Sequence, residues 1–379
     1  MKRNWVFPAA CAVILALAAL LTVLSERDEG TYISIHSIER TSGKSFPALS
    51  EISGGVRLYV NGERAPYDHA SNTYFIPQES DTEEITGDIS IEAEEGYTYF
   101  LFSREGVLKT DAIKNSIGYN VYGIRGGECV SSKIIFTALP IIRIHAEGEI
   151  ASDEEYVSGR ISVFEAKDGG VFVKTHSMGI RVRGNTSQRF PKKSYQIRLT
   201  DQAGEKFHAP FLSLRSDDDW ILNPMYADDT KIREMLAYEL WDKMNSSGMN
   251  ANSSDMEHSE IFLEDNYHGL YALQERVDYK QVDGDKKADI LYKIAANDMP
   301  TAEELIKCAS REVCRAFEMQ SDVFRGSAED IWSPAADYMA VISGGEPSLG
   351  AETSYENAAD FGLWAMLTQA HDCHFRNAG

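Results

Sequence analysis

Residues 179–199, GIRVRGNTSQRFPKKSYQIRL, carry the pattern that most constrains how this chain can fold. In the first part of the stretch, Ile180 and Val182 alternate with arginines. In the last part, Ile197 and Leu199 alternate with polar residues. A period of two on both flanks is typical of β-strands, because successive side chains of a strand point to opposite faces. The stretch therefore predicts a β-hairpin.

The loop of this hairpin, residues 184–193, predicts an anion site. The stretch 179–199 contains six basic residues and no acidic one, although the whole chain has a net charge of −22. Gly184 at the start of the loop would let backbone N–H groups approach phosphate oxygens closely. On charge alone, a basic hairpin that is merely solvated is an equally good interpretation.

Several blocks of the chain resemble one protein family. They are RGNTS…FPKKSY, NPMYADDTKIREMLAYELWDKM, EIFLEDNYHGLYALQERVD and, more weakly, HDCHFRN near the end. The blocks resemble the spore-coat protein H (CotH) kinase family, whose members are secreted or coat-associated atypical kinases, and the resemblance covers about residues 138–379. It implies a kinase-like α+β domain with a β-rich amino-terminal lobe and a helical carboxy-terminal lobe.

Phosphoryl transfer needs cations against phosphate, and the resemblance places a phosphate clamp in the basic hairpin. Lys193 begins the second strand, so its ammonium can reach back over the loop. The alternative is that these lysines only keep an edge strand soluble. The predicted ATP-binding residues of the hairpin are Arg183, Gly184, Asn185, Thr186, Ser187, Lys192 and Lys193.

Glu239 is the predicted partner of Lys193. It lies in a predicted helix at residues 229–245, seven positions after Ile232 and on the same helical face. A carboxylate on a buried face is costly unless it is paired, and protein kinases pair a helix glutamate with a strand lysine. The alternative is a helix rolled so that Glu239 meets water. Glu234 points to the opposite side and is the poorer candidate.

Asp372 and Asn377 are the predicted catalytic carboxylate and metal ligand. They are five positions apart, as in the kinase pattern H-R-D-x-x-x-x-N, so the expected cofactors are ATP and Mg²⁺. The family carries a second metal-binding aspartate in a segment resembling PWDLD. This chain reaches Gly379 without such a segment, so we expect an incomplete carboxy-terminal lobe and an inactive fragment.

Charge and cysteine content narrow the function classes further. The chain has 59 acidic and 37 basic residues, which argues against general nucleic-acid binding. Its five cysteines show neither CxxC nor Cys/His metal spacing, so the sequence predicts neither a zinc site nor a disulfide framework. Any pairing among the four cysteines beyond the leader stays open.

The chain divides into three predicted parts. Residues 1–25 are a signal peptide or membrane anchor, because Lys2 and Arg3 precede an apolar run, and the rest of the protein should lie outside the membrane. Residues 30–137 contain short alternating runs and turn signals, which predict a small immunoglobulin-like β-sandwich. Residues 138–379 form the CotH kinase-like domain.

Three functions fit these observations. The leading hypothesis is an exported atypical kinase that transfers phosphate from ATP to serine or threonine of a surface or coat protein. Adenylylation or glutamylation on the same fold would use the same nucleotide clamp. A non-catalytic surface or coat protein that serves adhesion or assembly is the alternative from a different class.

Overall fold

A computed structural model gives the structure of this protein. It describes residues 31–41, 50–51, 55–103, 107–244, 253–278, 287, 289–294, 299–320, 324–344 and 355–368. The predicted leader, residues 1–25, lies outside the described residues. Within them, none of the helices is both long enough and apolar enough to cross a membrane.

The chain divides into two compact units. The first contains residues 1–145, 161–175 and 260–269, and the second contains residues 146–160, 176–259 and 270–379. The predicted boundary between residues 137 and 138 stays a prediction.

Eleven short strands and one helix precede residue 138 in the part of the chain that the structure describes. They are β1 (Thr31–Ser34), β2 (Glu39–Thr41), β3 (Ser50–Glu51), β4 (Leu58–Val60), β5 (Glu63–Arg64), β6 (Tyr67–Asp68), β7 (Thr73–Pro77), β8 (Ile89–Ala93), β9 (Thr98–Phe102), α1 (Lys109–Lys114), β10 (Tyr119–Arg125) and β11 (Glu128–Thr137). The turn Asn61-Gly62 joins β4 to β5, and both turn residues have positive φ, as a two-residue hairpin requires.

These strands form two sheets. One has the order β1-β8-β4-β5, and the other has the order β2-β9-β10-β11-β7-β6, with β3 paired to β11. A single apolar cluster draws residues from both sheets, including the fully buried Leu58, Ile89 and Ile91 of the first and Val121 and Ile134 of the second. Burial of this cluster supplies the main driving force for the unit.

The first unit also contains the tips of two later hairpins, at residues 161–175 and 260–269. Phe75 stacks on Tyr267 at a ring distance of 4.6 Å and meets Phe262 edge-on at 5.3 Å. Aromatic pairs with these geometries are more favourable than their buried area alone would suggest. The unit is therefore stabilised by residues that are far apart along the chain.

Seven strands form a closed barrel of order β12-β13-β14-β15-β18-β20-β19. They are β12 (Ile141–Ala146), β13 (Val157–Lys167), β14 (Gly170–Arg183), β15 (Ser194–Thr200), β18 (Asp219–Asn223), β19 (Met256–Leu263) and β20 (Asn266–Glu275). Between β15 and β18 lies a small pair, β16 (Ala209–Pro210) and β17 (Ser216–Asp217). Alternate residues such as Ile197, Trp220 and Leu273 are fully buried, so one face of the sheet is apolar.

The second unit also contains the remaining described elements. They are α2 (Arg233–Met244), β21 (Tyr292–Ile294), α3 (Ala302–Ile306), β22 (Val313–Cys314), β23 (Phe317–Met319), α4 (Ala328–Ile342) and α5 (Tyr355–Thr368). Strands β22 and β23 form a sheet with β21, within the carboxy-terminal part that the family resemblance implies is helical. Arg315 has φ +49° and makes the tight turn between the two strands.

The β-rich α+β character predicted from the sequence is confirmed, with few helices among the described residues. The division of residues 138–379 into two kinase-like lobes stays a prediction.

Trp220 gives a test of the barrel core. Its side chain is fully buried, so Trp220→Ala should lower the free energy of unfolding by about 3–5 kcal/mol through loss of contacts and an unfilled cavity. Its indole N–H has no partner among the described residues, so Trp220→Phe keeps most of the packing, removes an unpaired donor and should cost much less. Urea unfolding followed by circular dichroism measures both variants, and equal losses would contradict this description of the core.

Candidate functional site

The hairpin predicted from residues 179–199 is present as β14 and β15. Ile180 pairs with Ile197, and both side chains are fully buried. The neighbouring pair, Arg181 and Gln196, lies on the opposite face of the sheet. Alternation therefore separates an apolar face from a face that carries charge, because successive side chains of a strand point in opposite directions.

Gly184 is required by the geometry of the loop. Its φ is +103°, and a Cβ at this position would lie 2.0 Å from the Oγ of Ser187. The next residues, Thr186–Arg189, form one turn of 3₁₀ helix. Gln188 closes this turn because its side-chain amide donates to the carbonyl of Gly184 and, at 2.8 Å, to Asp153 Oδ2. The backbone at the start of the loop is therefore held in one conformation.

Both lysines of the predicted clamp hold backbone carbonyls. Lys193 Nζ donates to the carbonyl of Gln188 at 2.5 Å, so it does reach back over the loop as the sequence predicts. Lys192 Nζ donates to the carbonyl of Leu270 at 2.5 Å and lies 4.2 Å from the ring centre of Tyr271. These contacts fix the shape of the loop and leave fewer donors for a ligand. The predicted nucleotide contacts of both lysines stay predictions.

Arg183, the last residue of β14, is the accessible cation at the base of the loop. Its side chain is exposed, and among the described residues no hydrogen bond or ion pair engages its guanidinium. Desolvation by the surrounding protein lowers the pKa of Arg183, and the carboxylate of Glu234 acts in the opposite direction. The donors of Arg183 are free to bind an anion.

Glu234 of α2 is the glutamate that faces the sheet. Its Oε2 accepts a hydrogen bond from Asn223 Nδ2 at 2.8 Å, and its Oε1 accepts from the Tyr238 hydroxyl at 3.2 Å. Gln274 Nε2 also lies 3.5 Å from Oε1. Glu234 thus connects α2 to strands β18 and β20 and contributes negative potential at Arg183.

Glu239 has a different environment from the one expected for a clamp residue. It is exposed, and its carboxylate lies 3.8 Å from Lys243, one turn later on the same helix. The structure therefore does not bring Glu239 to Lys193. Ile232 does share its face, as the sequence indicates, but that face is exposed, with 52% of Ile232 accessible. Of the two alternatives left open by the sequence, the structure shows the helix rolled towards water at Glu239.

The capping residue Asp228 explains where α2 begins. Its Oδ2 accepts the backbone N–H of Arg233 at 2.9 Å, and its Oδ1 accepts the backbone N–H and hydroxyl of Thr230. Burial opposes ionisation of Asp228, but these hydrogen bonds outweigh it and lower its pKa to about 2. Lys231 has φ +61°, which cannot belong to a helix, so α2 begins later than the predicted residue 229.

Asp219 is the centre of a polar network on the charged face of the sheet. Its carboxylate accepts from Gln196 Nε2 at 2.7 and 2.9 Å and from Arg276 Nη1 at 2.7 Å, and Arg198 Nη2 lies at 3.7 Å. The ring of Tyr156 lies between two guanidinium carbons, those of Arg181 and Arg198, each 4.7 Å away. Arg276 and Arg198 contact this buried carboxylate, and its charge also acts on Arg183.

All three side chains of the acidic run Asp217–Asp219 are buried. Asp217 forms an ion pair with Arg215 at 2.8 Å, and Arg215 also contacts Glu275 and Asp278. Desolvation raises the pKa of Glu275, while a hydrogen bond from the backbone of Arg215 acts against this. Arg215 therefore compensates a group of carboxylates that would otherwise be costly to bury.

His208, Asp217 and Asp218 bring ligand-type atoms within 4.8 Å of one another. Lys206 Nζ, 3.9 Å from Asp218, and the Arg215 ion pair to Asp217 already supply positive charge there. The cluster is therefore a poor match for Mg²⁺, which prefers unshared oxygen ligands in octahedral geometry.

Two predicted site residues, Asp372 and Asn377, lie outside the described residues, and their roles stay predictions. The sequence interpretation missed Glu234, Asp219 and Arg276. One signal for Glu234 was available, because it lies four residues before Tyr238 and so on the same helical face. Tyr238 and Met235 pack against the apolar cluster of Met225, Met256 and Ala272.

Comparison with known proteins agrees with the resemblance seen in the sequence. Residues 180–323 match the family model described as CotH kinase protein. This region begins within β14 and includes the loop, Asp219, Glu234 and Arg276. No curated protein sequence gives a significant match to the chain.

Two glutamates of α2 provide a matched test of this site. Glu234→Ala removes the acceptor for Asn223 and Tyr238, and should lower the free energy of unfolding by about 1–3 kcal/mol because buried donors lose their partner. Glu239→Ala removes only an exposed ion pair, and should change it by less than about 0.5 kcal/mol. Chemical denaturation distinguishes them, and a larger effect at Glu239 would show that the helix is rolled the other way.

Proposed function

We propose that this protein is an exported atypical kinase of the CotH type, which uses ATP and Mg²⁺ to transfer a phosphoryl group to serine or threonine of a surface or coat protein. The family match over residues 180–323 supports a CotH-type protein. The observation that carries the nucleotide site is Arg183, an exposed guanidinium without a hydrogen-bonding partner among the described residues, at the start of the loop.

The proposed phosphate clamp uses three features of the hairpin. The planar guanidinium of Arg183 can donate two parallel hydrogen bonds to phosphate oxygens. Gly184 adopts the positive φ that the turn requires and lets Ser187 pack close to it, and Lys193 holds the 3₁₀ turn through Gln188. Phosphate would be stabilised by charge and by fixed donors, which is most of what phosphoryl transfer requires of a protein.

Glu234 would orient Arg183 in this site. Kinases pair a strand cation with a helix glutamate, and here the residues that play these parts are Arg183 on β14 and Glu234 on α2. The carboxylate is itself fixed by Asn223 and Tyr238, so its position is set before a ligand binds. This arrangement replaces the pair of Lys193 and Glu239 expected from the sequence.

Mg²⁺, when bound, would neutralise charge on the phosphates and hold them in line with the acceptor hydroxyl. Its proposed ligand is Asn377, and the proposed carboxylate at the acceptor hydroxyl is Asp372. Asp372 would accept or orient the hydroxyl proton, because a carboxylate within hydrogen-bonding distance can do both. The proposed export depends on residues 1–25.

Arg183→Ala tests the clamp through binding alone. The variant loses a charge-assisted contact worth about 1.5–3 kcal/mol, so its dissociation constant for ATP should rise about 10- to 100-fold. Isothermal titration calorimetry of the purified chain measures this change. The matched control is Arg160→Ala, which removes an exposed arginine from β13 and should leave the constant within about twofold of the wild type.

Three results would contradict this assignment. Equal affinities for Arg183→Ala and wild type would mean that Arg183 does not hold phosphate. Equal weakening by the Arg160 control would mean that ATP responds only to overall charge. Absence of ATP binding in the wild-type chain would favour the non-catalytic adhesion or assembly role.

Asp372→Asn tests the proposed transfer step. It should abolish transfer of the γ-phosphate to protein while leaving ATP affinity within about threefold, because base and clamp are separate groups. Radiolabel transfer and calorimetry measure the two properties. Intact-mass analysis of the modified protein would reveal adenylylation or glutamylation instead, and normal transfer by the variant would exclude Asp372 as the base.

A further inference from the structure

Cys308 and Cys314 lie next to each other in the second unit. Cys308 follows α3 and is partly exposed, whereas Cys314 ends β22 and is buried. Cys308 Sγ lies 3.7 Å from the carbonyl oxygen of Val313, the residue before Cys314. Desolvation, and after it the neighbouring Cys308 thiol, raise the pKa of Cys314 to about 12. Cys314 is therefore a neutral thiol at physiological pH.

The segment between the two cysteines is held in place by other contacts. Trp332 Nε1 donates to the carbonyl of Ser310 at 2.6 Å, and Ser310 Oγ accepts the backbone N–H groups of Glu312 and Val313 at 3.3 Å. The backbone N–H of Cys308 bonds to Leu305 at 3.0 Å. The conformation of this segment is therefore fixed by contacts that do not involve a bond between the two sulfurs.

Both cysteines also belong to one apolar cluster. Cys314 is a buried member of the cluster that includes Leu305, Phe317 and Trp332, and Cys308 packs against it. A covalent link here would join the end of α3 to β22 inside packed structure. Such a link stabilises a fold mainly by restricting its unfolded state.

We propose that Cys308 and Cys314 are a redox modification site that closes to a reversible disulfide. The oxidant is a small-molecule or protein disulfide. The thiolate of Cys308, the more exposed group, attacks one sulfur of the oxidant, and the other sulfur leaves as a thiolate. Cys314 then loses its proton, attacks Cys308 Sγ and releases the second thiolate. Two electrons pass to the oxidant, and two protons leave the cysteines.

Tryptic mapping of the whole chain tests this proposal directly. Purified wild-type protein is equilibrated with oxidised glutathione, alkylated, denatured and digested without reduction. Trypsin cleaves after Lys307, Arg311 and Arg315, so the two cysteines fall on separate peptides, CASR and EVCR. We expect these peptides to be joined, with a mass two hydrogen atoms below their sum, and to separate after reduction.

Variants distinguish the pair from general cysteine oxidation. Cys314→Ser should trap Cys308 as a stable mixed disulfide with glutathione, because the resolving thiol is gone. Cys129→Ser changes a buried cysteine of β11 and should leave the linked peptides unchanged. The proposal is overturned if wild-type CASR is recovered alkylated, persistently bound to glutathione, or linked to a peptide other than EVCR. These outcomes do not depend on ATP binding, so they are separate from the proposed kinase function.

Discussion

The alternation of side chains along the strands of a closed barrel is the constraint on which the rest of this structure depends. Closure removes the free edges of the sheet. The side chains of successive strand residues point alternately to its two faces. The apolar face contains Ile180, Ile197 and Trp220. The residues between them along the strands therefore lie on the opposite face. Arginines that are separated along the sequence are thereby brought onto one surface, where Asp219 and Gln196 connect them.

The arginines on this surface differ in how far their charge is compensated by neighbouring groups. Arg276 and Arg181 are satisfied by Asp219, Gln196 and backbone carbonyls, and burial of such groups is tolerable because their hydrogen bonds are made. Arg183 differs because Glu234 acts on it electrostatically without a direct hydrogen bond. A guanidinium whose charge is only partly compensated and that is still accessible to solvent can bind an anionic ligand.

Local features of the sequence predicted local features of the structure. The hairpin of residues 179–199 and the reach of Lys193 over its loop depend on neighbouring residues, and both are found. The roll of α2 was not predictable in this way. It is set by Tyr238 and Met235 packing against Ala272 and Met225, which the sequence does not identify as neighbours. The burial of Asp217 likewise depends on Arg215, whose other partners lie about sixty residues later.

The first unit contains segments from distant parts of the chain, and this determines when it can fold during synthesis. Phe75 packs on Phe262 and Tyr267, so the core of a unit that begins near the amino terminus is incomplete until residue 269 has been synthesised. At translation rates of about 5–20 residues per second, the 124 residues between 145 and 269 take roughly 6–25 s to emerge. During that interval, apolar strands such as β7 lack their late partners, and the nascent chain exposes surface that chaperones bind.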